Sequence, residues 1–463
     1  MVAMLVGTSP AQTVTDVFTF SGTGASQNPA FVTPTQGRDG KLYGTTFGPT
    51  SGTSLGSVFK ITTTGSGGDL YAFNGTQGAN PFGGLTLGSD GSFYGTTGFG
   101  GASNEGVVFK ITPNGTYTVL HEFAGGADGG NPEAPPIQAS DGNFYGTTEG
   151  GLVIASTVYK ITPSGSFSTI YQFDQAHGST VPAPLIQGSD GNLYGVAEGG
   201  GANNCGTVFR MTRSGTVIST YSFLCGNGGK FPVGPLVQAS DGNFYGTTSE
   251  GGSQNLGTIF KMNKDGKQVT VLHSFRGGIA DGEFPVGGLV QGTDANLYGS
   301  ANGGGSSNDG VLFSISTSGA YTLLYSFQTA TGQAPIASLL QHTSGLFYGT
   351  TNLGGANGYG VVYSLNIGLG PFITFVRSAG RVGGPAQILG QALTGATTIT
   401  FNGIAATSFS VVSDTYMTAV VPGGATTGPV VVTTPSGALT SNKNFIILAT
   451  ATMKSTGAQP PSR

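Results

Sequence analysis

Seven copies of one short motif, about fifty residues apart, constrain the fold of this chain more than any other feature of its sequence. The motif is clearest at 241–248, which reads Asp-Gly-Asn-Phe-Tyr-Gly-Thr-Thr. Variants of it place a tyrosine at Tyr43, Tyr94, Tyr145, Tyr194, Tyr245, Tyr298 and Tyr348. A period in this range is typical of repeat architectures. The chain is therefore interpreted first as a tandem array.

Each repeat unit holds four short extended segments. In the fifth unit these segments, which we call A, B, C and D, are 234–238, 243–248, 257–263 and 269–275. Their β-branched and aromatic composition, their brevity and the Gly and Asp-Gly residues between them all argue against helix. Four-stranded antiparallel units repeated seven times predict an all-β fold, a seven-bladed β-propeller.

The two ends of the array are offset from each other. The first D segment, residues 17–20, precedes any A, B or C segment, and the last unit ends at its C segment with Asn366. We therefore expect the N-terminal strand to pair with the last C strand, to complete the seventh blade and to close the ring.

The sequence also predicts segments outside the array. Small residues at Ser9 and Ala11 after an apolar stretch suit a signal peptidase, which predicts export. Alternating strands around an Asn402-Gly403 turn predict a small β-sandwich after the array. The predicted organisation is a residual signal segment at 1–11, the propeller at 12–366, a linker at 367–370, the β-sandwich at 371–448 and a disordered tail at 449–463.

Charge and hydropathy argue against two classes of partner. The 17 basic and 21 acidic residues give a net charge of −4, and only 8% of the 463 residues are charged. A nucleic-acid-binding protein would be expected to carry a basic stripe. No run reaches the ~18 apolar residues of a membrane helix. We therefore predict no nucleic-acid partner, no membrane span and a monomer.

Most recurring residues are assigned to the scaffold. The motif tyrosines are expected to pack between blades, because a residue that every repeat keeps usually serves the scaffold. The Asp-Gly pairs fit tight A–B turns that require positive φ. His121 and His273 share a D position that is tyrosine in other units, which indicates packing. No nucleophile elbow, HExxH or Cys-x-x-Cys motif is present, so the sequence predicts no catalytic residues and no cofactor apart from a calcium hypothesis given below.

A glutamine stands seven residues before the motif tyrosine in six of the seven units. These residues are expected to line the central channel near its axis: Gln36, Gln138, Gln187, Gln238, Gln291 and Gln341. Two interpretations remain open. The amides bond neighbouring backbone, as most buried polar groups do, or they form a polar ring that holds water or an ion.

The two cysteines are expected to form a disulfide. Cys205 lies in the B–C loop of the fourth unit and Cys225 begins its D–A loop, so both emerge at the same end of the blade. Two cysteines in an exported chain favour pairing.

The B–C and D–A loops are predicted to carry the function, because they are long and differ between units on a rigid scaffold. Three acids follow strand B in consecutive units, and further acids lie in D–A loops at the same end: Glu149, Glu198 and Glu250, then Asp128, Glu133, Asp281 and Glu283. The first three are expected to form an arc around the funnel mouth that binds Ca²⁺ or a cationic group. The alternative is solvated loop acids with no shared partner.

The repeat unit resembles a known family. Its pattern, Leu-Val-Gln-x-Ser-Asp-Gly-Asn-Phe-Tyr-Gly-Thr-Thr followed by Gly-Thr-Val-Phe-Lys-Ile-Thr, is similar to the GloVer tandem repeat of exported bacterial proteins. The C-terminal segment, with Ile388-Leu-Gly-Gln, Asn402-Gly403 and Gly428-Pro-Val-Val-Val, is similar to IPT/TIG immunoglobulin-like domains. The first resemblance implies a secreted or cell-surface protein without assigned catalysis, and the second implies a spacer or adhesion module.

Two functions are expected from this reading. The first is a noncatalytic exported or cell-surface protein that binds an extracellular glycan or a surface protein through its B–C and D–A loops. The alternative is a propeller enzyme, a lyase or hydrolase, that acts at the central funnel. The absence of a motif is weak evidence against an enzyme, because geometry rather than sequence defines an active site.

Overall fold

The computed structural model describes residues 12–22, 27–48, 54–150 and 155–449, and these residues form β-strands with two short 3-10 turns. The turns are Gly226–Gly228 and Thr329–Thr331. The predicted signal segment and residues 450–463 of the predicted tail lie outside the described residues. Within the described part, no helix has the length and apolar character needed to cross a membrane.

The repeats form seven four-stranded sheets, which we number 1 to 7 along the chain. An initial strand, β1 (Thr13–Thr19), precedes them. The strands of sheets 1 to 3 are β2 (Thr35–Gln36), β3 (Leu42–Thr46), β4 (Ser57–Ile61) and β5 (Gly67–Ala72), then β6 (Thr86–Leu87), β7 (Phe93–Thr97), β8 (Val107–Ile111) and β9 (Tyr117–Glu122), then β10 (Ile137–Gln138), β11 (Phe144–Thr148), β12 (Thr157–Ile161) and β13 (Phe167–Gln172).

The later sheets repeat the same order. The strands of sheets 4 and 5 are β14 (Ile186–Gln187), β15 (Leu193–Ala197), β16 (Thr207–Met211) and β17 (Val217–Ser222), then β18 (Val237–Gln238), β19 (Phe244–Thr248), β20 (Thr258–Met262) and β21 (Val269–Ser274). Next come β22 (Gly282–Glu283), β23 (Val290–Gln291), β24 (Leu297–Ala301), β25 (Gly303–Gly304), β26 (Val311–Ile315) and β27 (Tyr321–Ser326), then β28 (Leu340–Gln341), β29 (Phe347–Thr351) and β30 (Val361–Asn366). Sheet 6 is β23-β24-β26-β27, beside a two-stranded β22-β25 ladder.

Sheet 7 takes its outer strand from the start of the chain. Its order is β1-β30-β29-β28, and β1 pairs antiparallel with β30 from Thr13 opposite Asn366 to Thr19 opposite Val361. The predicted pairing of the N-terminal strand with the last C strand is thus present.

Neighbouring sheets pack face to face through the motif tyrosines. Tyr43 stacks on Phe93 of the next sheet with ring centroids 4.0 Å apart, and Tyr94 stacks in the same way on Phe144 at 3.8 Å. Sheets 7 and 1 also share a buried cluster, in which Tyr348 packs with residues of sheet 1. The tyrosines therefore pack between sheets, as predicted.

The innermost strands are shorter than predicted. Segment A of the fifth unit was expected over 234–238, but the strand covers only Val237–Gln238, and the other units match it. Pro235 has no N–H to donate to a ladder. The residues before each short strand instead contact the neighbouring sheet and form the wall of a central cavity.

The C-terminal unit is a small β-sandwich. Its strands are β31 (Thr374–Phe375), β32 (Ala379–Gly380), β33 (Pro385–Leu389), β34 (Thr398–Phe401), β35 (Ile404–Ala405), β36 (Ser408–Ser413), β37 (Tyr416–Val420), β38 (Val430–Thr434), β39 (Gly437–Thr440) and β40 (Ile446–Ile447). Two sheets, β31-β33-β37-β36 and β35-β34-β38-β39, enclose one apolar core, and β32 pairs with β40.

The sandwich is docked on the A–B turns of the array. The Arg38 guanidinium lies 4.6 Å from the centroid of the Tyr416 ring, and the Gln387 amide donates to the Ser89 carbonyl at 2.8 Å. Leu87, which replaces the recurring glutamine in sheet 2, shares a buried cluster with Tyr416. The sandwich thus packs on one end of the array instead of extending away as a spacer would, and the B–C and D–A loops are at the opposite end.

Candidate functional site

A central cavity of about 460 Å³ lies at the B–C and D–A loop end of the array. Every unit contributes to it the residue that stands twelve positions before its motif tyrosine. These seven residues are Phe31, Phe82, Glu133, Pro182, Val233, Val286 and Ile336. We call this cavity the funnel.

Neighbouring sheets donate hydrogen bonds to backbone carbonyls of the funnel wall. The Thr45 hydroxyl donates to the Gly83 carbonyl at 2.6 Å, and the Thr247 hydroxyl donates to the Gly287 carbonyl at 2.9 Å. The first threonine of each Gly-Thr-Thr segment therefore joins two sheets and satisfies a buried acceptor.

Glu133 is the one acid in that ring of seven. Its carboxyl forms a hydrogen bond with Glu149, and burial first, then the charges of Glu149 and Glu198, raise the pKa of Glu133 to about 8. Among the described residues, no lysine, arginine or histidine forms an ion pair with these three acids. Burial and the neighbouring acidic charges therefore favour the protonated form of the Glu133 carboxyl near neutral pH.

The acidic arc predicted from the sequence is only partly present. Glu149 and Glu198 both line the funnel, but the residue of sheet 5 that joins them there is Ser249 and not Glu250. Glu250 stands one residue later in its unit, and a shift of one residue turns an extended chain's side chain to the other face. Its carboxylate pairs with the Lys230 ammonium at 2.8 Å.

The charge of Glu250 nevertheless affects the pKa of one funnel acid, Glu198. Burial first, and then the charges of Glu149 and Glu250, raise the pKa of the Glu198 carboxyl. Within the described residues, no three His, Cys, Asp or Glu side chains form a group that could hold a metal ion. The structure therefore gives the calcium hypothesis for Glu149, Glu198 and Glu250 no ligand set.

The other candidate loop acids serve the outer strands and do not line the funnel. Asp128 contacts the His121 ring nitrogen at 3.2 Å, and Asp281 contacts the His273 ring nitrogen at 3.1 Å. Asp281 is buried and also accepts two backbone N–H groups. Glu283 pairs with Gly303 in the β22-β25 ladder. These acids hold loops to their own sheets, and none of the three is among the residues that line the funnel.

The recurring glutamines join neighbouring sheets. Gln138 accepts the Ser89 backbone N–H of the preceding sheet at 2.8 Å and donates to Gly142 of its own turn at 2.9 Å. Gln36 makes the corresponding contact with Thr343, which links sheets 1 and 7. Gln187, Gln238 and Gln291 accept a backbone N–H of the preceding sheet in the same way, whereas the Gln341 amide donates to the Thr293 hydroxyl at 3.2 Å. The amides thus bond neighbouring backbone and side chains, and none of the six lines the funnel.

Cys205 and Cys225 are joined by a disulfide, with their Cα atoms 5.6 Å apart. The bond ties the B–C loop of sheet 4 to the start of its D–A loop. This loop end also carries the funnel mouth, so the disulfide stiffens one side of the candidate site.

Aromatic residues at the funnel mouth were not singled out from the sequence. Phe31 is 46% exposed, and Phe82 contacts Phe47 and Phe99 with centroid distances of 4.7 and 6.4 Å. Phe31 and Phe82 belong to sheets 1 and 2, next to the acids of sheets 3 and 4. One signal could have identified them, which is their position twelve residues before the motif tyrosine. The residue type at this position varies between units, whereas the residues of the motif itself vary little.

Solved structures with a propeller-like fold are similar to this chain. Hydrazine synthase of Kuenenia stuttgartiensis has a TM-score of 0.50 and 14% identity, with 73% of this chain and 96% of that chain covered. Oligogalacturonate lyase of Vibrio parahaemolyticus has a TM-score of 0.46 and 13% identity, covering 76% and 93%. A gluconolactonase of Xanthomonas campestris has a TM-score of 0.38 and 14% identity, covering 62% and 85%. At these identities the likeness concerns the fold alone.

Sequence comparison identifies the family through the repeats. No curated protein matches the chain significantly in sequence. The Gloeobacter/Verrucomicrobia repeat matches three overlapping stretches, residues 4–152, 126–295 and 279–408. These stretches cover all seven motif tyrosines, in agreement with the resemblance inferred from the unit pattern. The chain belongs to the Gloeobacter/Verrucomicrobia repeat family.

Proposed function

We propose that this chain is a noncatalytic exported protein, secreted or at the cell surface, that binds a glycan in the funnel. In this proposal the seven sheets are the blades of a closed propeller, which acts as a monomer. The sandwich is an IPT/TIG-like domain that covers the opposite end of the propeller. The binding face is formed by the B–C and D–A loops.

Ring closure is supported by contacts between the last and first sheets. The Thr350 hydroxyl of sheet 7 donates to the Val32 carbonyl of sheet 1 at 2.8 Å. The first threonine of the other Gly-Thr-Thr segments makes the same contact with the sheet that follows it. The Gln36–Thr343 contact repeats the glutamine pattern at the same junction. Export is supported by the Cys205–Cys225 disulfide, because such bonds persist in oxidising compartments.

One observation carries the binding proposal: the funnel places acidic side chains beside two aromatic rings, Phe31 and Phe82, on a wall that is mostly apolar. Glu149 and Glu198 offer acceptors for ligand hydroxyl groups, and such charge-assisted hydrogen bonds are the stronger ones. Phe31 and Phe82 offer flat apolar surfaces to the C–H faces of a sugar ring. A few convergent polar groups in an apolar pocket of this size are typical of small-ligand sites.

A glycan array with the full chain, followed by calorimetry on the best ligand, tests the proposal. We expect Glu198→Gln and Phe82→Ala each to weaken binding at least about tenfold, equivalent to ~1.4 kcal/mol. Glu122→Gln is the matched control, since it removes a carboxylate from the outer strand of sheet 2. Binding that is unchanged in both funnel variants would place the ligand elsewhere and refute the proposal.

The Glu133–Glu149 pair favours a second candidate, a lyase or hydrolase acting in the funnel. A carboxyl whose pKa is raised to about 8 beside a second acidic group is suited to acid–base chemistry near neutral pH, and pKa values shifted in a cleft are common at active sites. Product analysis by mass spectrometry, with glycans that bind, separates the two functions. Turnover that is lost in Glu133→Gln while binding is kept would favour the enzyme.

A further inference from the structure

A second cavity, of about 300 Å³, lies between the array and the sandwich. The array contributes the A–B end of sheets 3 and 4, including Gln138, Ser140 and Gln187. The sandwich contributes residues 374–379, Lys443 and Ile446. Among the described residues that line this cavity there is no carboxylate, and we call the cavity the interdomain cleft.

Two cations face the interdomain cleft with unused hydrogen-bonding capacity. The Arg377 guanidinium donates through Nη2 to the Ser140 carbonyl, while its Nε is buried without a partner. Lys443 keeps solvent access along its side chain, and within the described residues its ammonium has no ion pair and no hydrogen bond.

The acid that acts on Arg377 already has other partners. Asp141, on the sheet 3 turn beside Arg377, pairs with the Arg213 guanidinium at 3.2 Å and accepts the Tyr145 hydroxyl at 2.8 Å. The two cations of the cleft therefore lack a countercharge of their own. The Arg377 Nε–H is a buried donor without a partner among the described residues, which is costly, and a bound anion would satisfy it and supply the countercharge that both cations lack.

We propose that the interdomain cleft binds an oxyanion, the phosphate, sulfate or carboxylate group of a small ligand. The Arg377 Nε and the Lys443 ammonium are its donors. Both residues lie on the sandwich, and the ligand rests against Ser140 and the neighbouring A–B turns, so binding holds the sandwich to the propeller. The site is at the opposite end of the array from the funnel and does not depend on the glycan proposal.

Thermal unfolding and calorimetry of the full chain test this site. The probes are sodium phosphate, sodium sulfate and sodium galacturonate, each compared with sodium chloride at the same ionic strength. We expect at least one oxyanion to raise the melting temperature above the chloride value. Comparing the phosphate and sulfate results with the galacturonate result shows whether the cleft prefers a phosphate or sulfate group or a carboxylate.

Variants assign the effect to the cleft. Lys443→Gln and Arg377→Gln should each weaken the oxyanion's affinity at least about tenfold, because each removes a charged donor. Lys267→Gln, which removes an exposed cation from the loop before β21, should leave the affinity unchanged. If Arg377→Gln fails to fold, Lys443→Gln still decides, since its ammonium makes no contact that the fold needs. No oxyanion effect beyond chloride, or equal affinities in Lys443→Gln and the wild type, would overturn the proposal.

Discussion

Replacing Glu133 by glutamine should make the protein more stable at high pH and leave its stability almost unchanged at low pH. In the wild type, the folded state keeps a proton on Glu133 up to a pKa of about 8, whereas the unfolded chain releases it near 4.5. The folded state thus binds more protons between these two values, so stability falls as the pH rises from 4.5 to 8. Glutamine cannot ionise and removes this fall.

The size of the effect follows from the same shift. Each pKa unit corresponds to ~1.4 kcal/mol, so the full shift would amount to about 5 kcal/mol. The Glu133 side chain keeps partial contact with solvent in the funnel, which screens the ionised form. We therefore expect Glu133→Gln to be more stable than the wild type by about 2 kcal/mol at pH 9, and by less than about 0.5 kcal/mol at pH 4.

Urea unfolding followed by circular dichroism at pH 4, 6, 7.5 and 9 measures these differences. Glu149→Gln should act in the same direction, because it removes the charge that repels an ionised Glu133. Glu122→Gln controls for the loss of one negative charge outside the funnel. A Glu133→Gln advantage that does not grow between pH 4 and pH 9 would refute the idea that Glu133 is a buried acid held neutral by its neighbours.

Three further changes test the scaffold. Deleting residues 13–19 exposes the edge of β30 and should lower the melting temperature and promote aggregation; a monomeric protein with an unchanged melting curve would contradict the composite sheet 7. Replacing both Cys205 and Cys225 by serine opens a loop with a sequence separation of 20 and should cost about 3 kcal/mol in chemical denaturation, and equal midpoints would argue against the bond. Tyr245→Phe removes the hydroxyl that donates to Asp241 at 2.7 Å and should cost about 1 kcal/mol, a loss that Asp241→Asn should share if the contact matters.

The sequence predicts the sheets well because each is specified seven times. The Asp-Gly turns illustrate this: Gly242 has φ of 82°, and the same position in sheet 6 holds Ala295 at φ 68°. A single unit with alanine there would not have been recognised as a tight turn. The repeat period identifies this position as the same turn. In the structure Ala295 adopts the positive φ that glycine adopts in the other units.

The candidate site was harder to predict because one residue of register decides which acids meet. Glu149, Glu198 and Glu250 all follow strand B, and the sequence alone suggests one arc. Successive side chains of an extended chain point to opposite faces. Ser249 therefore lines the funnel, and Glu250 pairs with Lys230 on the other face. Glu133 joins the site from a D–A loop, and only the folded array shows that it contacts Glu149.

The docking of the sandwich could not be predicted from the repeat at all. The contact between Arg38 and Gln387 joins residues 349 positions apart, and no pattern in either segment points to the other. One local signal existed. Leu87 interrupts the glutamine series in sheet 2, and an apolar residue at a position that otherwise bonds a turn indicates that something apolar covers it.

The funnel acids stand where the units differ, and this argues for function more strongly than the funnel cavity alone. The scaffold contacts, such as the Thr247 hydroxyl on the Gly287 carbonyl, recur in nearly every unit and need no ligand to explain them. Glu133 stands in a ring whose other six members are apolar, and its ionisation is suppressed at a cost to stability above neutral pH. A repeat under selection for folding alone would replace such a residue with the apolar one that its neighbours keep. The position of Glu133 therefore supports the ligand site that we propose on this side of the funnel.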